Sequence, residues 1–248
     1  MIKTYVYDGS FDGFLTCVYE YYYSENKAQE IFSNESIPGD FIHELLPIST
    51  SEEKSQKVFS AIETKLGAEV LRNIFTVFLS EEPGMELILL TYIRLGFKIG
   101  REINQHLHNE TVLNIIKTCN RVNFESHRLC GFIRFRCIGN ELYYSAIEPD
   151  HNILTLVSPH FADRFSNQRW IIHDVRRQLA SLYDCKEWVI VPMSASASKQ
   201  FLEAEDGFYE KLWKTYYNTI SIEERENPKL RKRLMPSRYW KYIIETKT

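Results

Sequence analysis

Apolar residues recur every three or four positions through most of the first half of the chain and every second position in part of the second half. The opening alternates Lys3 and Thr4 with Tyr5, Val6 and Tyr7, then meets Asp8-Gly9-Ser10. That pattern predicts a short strand, a turn and a helix start. Phe11, Phe14, Leu15, Val18 and Tyr22 follow at helical spacing and predict a helix to about Tyr23. A polar stretch, 33–39, leads to the apolar run 41–48, which phases poorly as a helix and reads as a strand or extended segment. Thr50 stands three residues before Glu53, a capping-box arrangement that supplies partners for the free amides of a helix start.

Four helices are expected next. Val58, Ile62 and Leu66 mark the first, and Leu71, Ile74, Phe75 and Phe78 the second, after a break near Gly67. Pro83 opens a third, whose stripe runs from Met85 through Leu89, Tyr92, Gly96 and Ile99 to Ile103. Val112, Ile115, Ile116, Cys119 and Val122 mark the fourth, ending near Asn123. The period then changes to two. The runs 132–138 and 141–147 flank Gly139-Asn140 and predict a hairpin. The runs 170–174 and 188–191 are two more strand candidates, so a sheet of about four strands, antiparallel or mixed, follows. Phe208, Leu212 and Tyr216 phase as a helix, and Ser221 to Glu224 offer another capping box. The expected fold is therefore α+β: a helical N-terminal block packed with a small, mainly antiparallel sheet and a C-terminal helical tail. We read it as a single domain, 1–248, with a mainly helical part (1–123), a sheet-containing part (124–200) and a basic, aromatic tail (201–248).

At 248 residues with 44% apolar and 25% charged, the chain can bury a large core and is neither disordered nor fibrous. No apolar stretch reaches the roughly 18 residues needed to span a bilayer, because Arg94 and Lys98 interrupt the longest candidate. The opening lacks a signal core, and five cysteines with no C-x-x-C pair suit reduced thiols, so a cytoplasmic protein is expected. The net charge of −3 is unevenly distributed. Residues 1–100 hold 8 Lys/Arg against 15 Asp/Glu, whereas 211–248 hold 10 against 4. A basic end of this kind can gather phosphates even when the whole molecule is near neutral.

Phosphate-loop, zincin, nucleophile-elbow and paired C-x-x-C signatures are absent. Asp8-Gly9-Ser10-Phe11-Asp12-Gly13 resembles a glycine-rich anion loop, but its two carboxylates would repel an anion, so a tight turn with Ser10 as helix cap is favoured. Asp150-His151, with His160 close behind and His127 upstream, supplies carboxylate and imidazole groups that could act as acid and base. The plainer reading is that they brace a long loop after Pro149. No metal set is spaced in the sequence, His106-x-His108 reads as a helix-end pair, and no cofactor is called for. On an expected strand over 132–138, Arg134 and Arg136 share a face, and Tyr143 or Tyr144 joining them would make a cationic and aromatic platform for single-stranded nucleic acid. The alternative pairs those arginines with Glu141 or Glu148. The tail repeats the mixture, with Arg225, Lys229, Arg231, Lys232 and Arg233 before Arg238-Tyr239-Trp240-Lys241. Its cations could meet phosphates, and its aromatics could stack on bases or anchor the tail in the core.

Four stretches carry a resemblance. They are the opening 7–14 (Tyr-Asp-Gly-Ser-Phe-Asp-Gly-Phe), the segment from His127 to Phe135, Glu148 to Asn152 with Pro159-His160-Phe161 and Arg164-Phe165, and the tail from Arg225 to Lys241. Together they resemble a bacterial domain family of unknown function whose members are labelled probable DNA metabolism proteins. The resemblance implies a protein that works beside a radical S-adenosylmethionine (radical-SAM) protein of DNA modification or repair, or one fused to a uracil-DNA-glycosylase-like domain. This chain resembles the stand-alone form, and the family offers no catalytic residues to carry over. The expected function is a DNA-repair or DNA-metabolism accessory that binds single-stranded or damaged DNA and acts with a radical-SAM partner. Arg134, Arg136, Arg164, Arg238 and Lys241 would meet phosphates, and Tyr143, Tyr239 and Trp240 would stack. Two alternatives stay open. One is an enzyme acting on nucleic acid through His127, Asp150, His151 and His160; the other is a protein adaptor that binds no DNA.

Overall fold

A computed structural model describes residues 1–37, 42–138, 141–203, 232 and 235–243. Contacts divide the chain into two compact units, Met1–Asn123 and Phe124–Thr248. The architecture is α+β, with one sheet in each unit.

In the first unit, β1 (Ile2–Tyr7) is the middle strand of a three-stranded parallel sheet, between β2 (Glu30–Ser33) and β3 (His43–Pro47). Its last four residues are buried, so both faces of the strand are covered, as parallel sheets require. Helix α1 (Phe11–Tyr23) returns the chain between β1 and β2, and Ser10 caps it by accepting the Gly13 amide at 2.9 Å. The expected phosphate-loop lookalike is thus a capped turn. Asp8 accepts from Ser10 Oγ, Ser10 N and Thr50 Oγ1 at 2.6–2.9 Å. Because Thr50 is engaged there, the cap of α2 (Glu52–Leu66) moves one residue on, to Ser51. Gly67, with φ of 95°, ends α2, and α3 (Ala68–Phe78) begins at once. Helix α4 (Met85–Ile99), a 3-10 turn (Arg101–Gln105) and the start of α5 (Glu110–Phe132) complete the unit. Their apolar stripes meet at Phe14, Ile62, Ile74, Leu89, Tyr92 and Ile115, all fully buried. The expected block is therefore not a purely helical one: α2, α3 and α4 fall on the stripes that predict them, but a parallel sheet lies among them and the fourth helix runs past Asn123.

The second unit holds a five-stranded sheet in the order β4-β5-β6-β7-β8. Its strands are β4 (Arg136–Ile138), β5 (Leu142–Ile147), β6 (Arg169–Asp174), β7 (Leu179–Tyr183) and β8 (Trp188–Pro192). All neighbours are antiparallel except β5 and β6, which are parallel and joined by α6 (Leu154–Arg164). The expected strand over 132–138 is shortened to three residues, because α5 continues to Phe132 and 133–135 have no regular structure. Arg134 consequently does not share a strand face with Arg136. The hairpin pairing of β4 with β5 is present, while Gly139-Asn140 lie outside the described residues. One face of the sheet carries Tyr143 and its register partner Trp170. On that side α6 packs, with Ser158 Oγ 2.6 Å from Ser181 Oγ. The other face carries Tyr144, stacked at 5.3 Å on Phe201 of α7 (Ala195–Glu203). A 3-10 turn (Ser237–Tyr242) follows. The tail helix expected at Phe208 to Tyr216, the box at 221–224 and most of the basic stretch 225–233 lie outside the described residues. No helix among the described residues is long and apolar enough to cross a membrane, and all five cysteines are free.

Candidate nucleic-acid interface

The parallel pair β5 and β6 separates two groups of functional side chains. Near the start of these strands lies a cleft of about 840 Å³. The last two turns of α5 give it His127 and Cys130; the irregular segment gives Arg134 and Phe135; β5 gives Tyr143; the end of α6 gives His160, Phe161, Arg164 and Phe165; and β6 gives Trp170. Its floor is aromatic. Phe135 lies edge-on to Phe161 at 5.3 Å and to Phe165 at 5.4 Å, with Trp170 at 6.3 Å, and Phe161 and Phe165 are parallel within 2°. Such ring contacts fix the floor's shape beyond what burial alone achieves.

Cations stand at the rim. Arg134 is held by its own backbone, donating from Nη1 to Gly131 O at 2.7 Å. The Arg164 guanidinium lies 5.9 Å from the Phe165 ring centroid. The charged side chains among the described residues that line the cleft are Arg134 and Arg164, with no Asp or Glu among them. Burial pushes the Cys130 thiol above its ordinary range, which keeps it protonated and a weak nucleophile. The Trp170 Nε1 is buried without a hydrogen-bond partner among the described residues.

The second group surrounds Glu125, which is 5% exposed. Its carboxylate accepts the amides of Asp150 and His151, each at 2.9 Å, and the Tyr239 hydroxyl at 2.5 Å. Arg238 bridges Asp150 Oδ2 at 2.7 Å and donates to the Tyr239 hydroxyl at 2.8 Å. Arg177 donates to the carbonyls of Pro149 and Asp150 and to Asp174. Lys241 and Tyr242 both donate to Glu148 Oε1, at 2.8 and 2.7 Å. Burial opposes ionisation of Glu148, yet those two bonds outweigh it and hold the carboxyl below its usual range. Burial pushes the Tyr239 hydroxyl up, and its bond to Glu125 adds to the rise, so it stays a proton donor. This knot ties the tail to the turn after β5.

The four acid-base candidates thus divide: His127 and His160 line the cleft, whereas Asp150 and His151 present backbone amides to Glu125. Among the described residues no three His, Cys, Asp or Glu side chains are placed to hold a metal. Of the nucleic-acid candidates, Arg134, Tyr143 and Arg164 share the cleft. Arg136 lies on the opposite sheet face, over Tyr144 at 5.1 Å and donating to the carbonyls of Phe201 and Leu202. Arg238, Tyr239 and Lys241 belong to the knot, and Trp240 donates to Met235 O at 2.9 Å. The sequence reading missed Glu125 and the floor formed by Phe161, Phe165 and Trp170. The floor had a signal: Leu154, Val157, Ser158 and Phe161 recur at helical spacing and mark α6.

Fold and site together define a two-unit α+β protein whose second unit carries a cationic, aromatic-floored cleft. The chain belongs to a family described as a domain of unknown function, DUF4130, which matches residues 83–245. That span covers three of the four stretches that carry the resemblance and leaves out 7–14. No curated protein and no solved structure matches the chain.

Proposed function

We propose that the protein is a DNA-repair or DNA-metabolism accessory that holds single-stranded or damaged DNA in the second unit's cleft and presents it to a radical-SAM partner. The observation that carries this reading is the pairing of two arginines, with no carboxylate among the described lining residues, with a floor of four aromatic side chains. Guanidinium groups attract phosphates in a salt-dependent way, and rings stack on any unpaired base. The cleft's volume suits a ligand of nucleotide size. The resemblance to proteins labelled for DNA metabolism points the same way. Arg134 and Arg164 take the phosphates and Tyr143 stacks, while Arg136, Arg238 and Lys241 serve mainly internal contacts.

The test is anisotropy of labelled single-stranded, duplex and lesion-containing oligonucleotides across a salt series. Binding is expected to weaken with salt and to fall at least about fivefold in Arg164→Ala and in Tyr143→Ala. Salt-insensitive binding, or affinity unchanged in both variants, defeats the proposal. Co-purification with a radical-SAM protein after nuclease treatment tests the partner.

A second reading is favoured by one observation: His127 and His160 line the same cleft as the arginines. As an enzyme on nucleic acid, the protein would use them as acid and base next to bound phosphate. A changed oligonucleotide mass after incubation, abolished in His160→Gln with binding intact, would select this reading.

A further inference from the structure

We propose that the first unit carries its own binding site for a nucleotide, separate from the cleft of the second unit, between α1, α2 and α4. The site is a pocket of about 580 Å³ lined by Tyr19, Tyr22 and Tyr23 of α1, Lys57 and Lys65 of α2, and Phe97 of α4. Its floor is apolar, with Val18 and Val58 buried beneath it. Large rings ordinarily turn inward, yet Tyr23 is 75% exposed and Tyr22 41% exposed. They are nevertheless ordered by one another: Tyr19 and Tyr23 stack at 4.5 Å, and Tyr22 meets Phe97 edge-on at 5.9 Å. The result is a rigid aromatic wall that offers open π-faces, the surface on which a flat heterocycle gains most.

The cations sit at the same wall. Lys57 Nζ lies 6.0 Å from the Tyr19 ring centroid and Lys65 Nζ 5.6 Å from that of Phe97. Lys57 is paired with Glu53 at 2.6 Å, but this is an exposed pair one helical turn apart and exchanges readily for a phosphate. Lys65 has no ion pair among the described residues, so its ammonium is the principal fixed charge of the pocket. A ligand that matches must place a planar ring and an anion within one pocket of this size, and a nucleotide does so. The nucleotide could be a free monophosphate or one residue of a single strand. The two present the same ring and phosphate chemistry.

The 248-residue chain is tested with Arg164→Ala added to weaken the other cleft. An oligothymidylate containing 5-iodouracil is photocrosslinked and the attachment mapped by mass spectrometry. Its affinity is measured in parallel, with circular dichroism confirming the fold of each variant. Crosslinks at Tyr22 or Tyr23 are expected, together with a loss of at least about fivefold in Tyr22→Ala and in Lys65→Glu. Competition by thymidine monophosphate below about 1 mM would show that the site takes free nucleotides, and its absence would show that it takes a residue of a strand. Crosslinks confined to residues 124–243, affinity unchanged in both variants, or no binding of oligonucleotide or monophosphate on the Arg164→Ala background would overturn the proposal. The crosslink positions separate this site from the second unit's cleft, so failure of one reading is distinguished from failure of the other.

Discussion

Removing the carboxylate of Glu125 should unravel the junction between the tail and the turn after β5. Glu125→Ala strips the acceptor from the Asp150 and His151 amides and from the Tyr239 hydroxyl, all bonded at 2.5–2.9 Å. Bonds to an ionised group contribute roughly 1.5–3 kcal/mol each, but three donors on one acceptor do not add. Asp150 is exposed, so its amide regains water, whereas Tyr239 is buried and its hydroxyl is stranded. The Arg238 guanidinium, 4.0 Å from the carboxylate, also loses a counter-charge. The expected loss is about 3–5 kcal/mol, the range for breaking a buried charged contact. Glu125→Gln keeps one acceptor oxygen and points an amide donor at a donor, for a loss of about 1–3 kcal/mol. All four tryptophans, Trp170, Trp188, Trp213 and Trp240, belong to the second unit, so urea unfolding followed by tryptophan emission reports on that unit alone. With a slope of about 1–3 kcal/mol per molar urea, Glu125→Ala should lower the midpoint by about 1–5 M. A loss below about 1 kcal/mol, or no coupling between Glu125→Gln and Tyr239→Phe in a double-mutant cycle, would refute the reasoning.

Two further predictions use opposite pH signatures of the units. His173 is fully buried with Nδ1 2.7 Å from the Tyr144 hydroxyl, and burial lowers its pKa below 6.5. The unfolded chain therefore binds a proton that the fold refuses, so stability is complete above pH 6.5 and is lost as pH falls. His173→Asn should flatten the urea-midpoint profile between pH 6.5 and about 5, and an unchanged slope would refute this. In the first unit, burial raises the Glu86 carboxyl above 4.5 although Tyr7 donates to it at 3.3 Å. Here the unfolded chain gives up its proton first, so stability falls as pH rises from 4.5 through the folded value. Glu86→Gln should remove that fall, and hydrogen exchange of α4 should be slower than in the parent at neutral pH but not in acid.

The fold was legible wherever one face of an element is apolar. Helix α1 runs from Phe11 to Tyr23 as its spacing predicts, and β6 and β8 fall on the apolar runs that predict them. The end of α5 was misread because its stripe thins after Val122. Only Glu125, Ser126 and Leu129 are buried in its next two turns, and two of those are polar. The local alternation of Phe132 to Arg136 then imitates a strand across a helix end. Strand β2, four residues with one buried position, is too short to carry a period. The cleft was half visible. Arg134, Tyr143, Arg164, His127 and His160 were identified by residue type, but assigned to a strand face and a loop and not to one cavity. Glu125 gave no signal at all, since a glutamate on a polar helix face is ordinarily solvated.

The central place of β1 in its sheet has a consequence for synthesis. Strand β1 is synthesised before both of its partners, so its two edges stay unpaired until β2 and then β3 arrive, and His43 follows its partner Ile2 by 41 residues. At about 5–20 residues per second, that interval lasts roughly 2–8 s. Throughout it, Ile2-Lys3-Thr4-Tyr5-Val6-Tyr7 is a β-prone segment with two open hydrogen-bonding edges, the condition in which chains join one another. Lys3 is the single charge in that segment, so losing it should show first in the yield of soluble nascent chain, the finished fold giving up only the exposed bond from Lys3 Nζ to Asn26 Oδ1 at 2.7 Å.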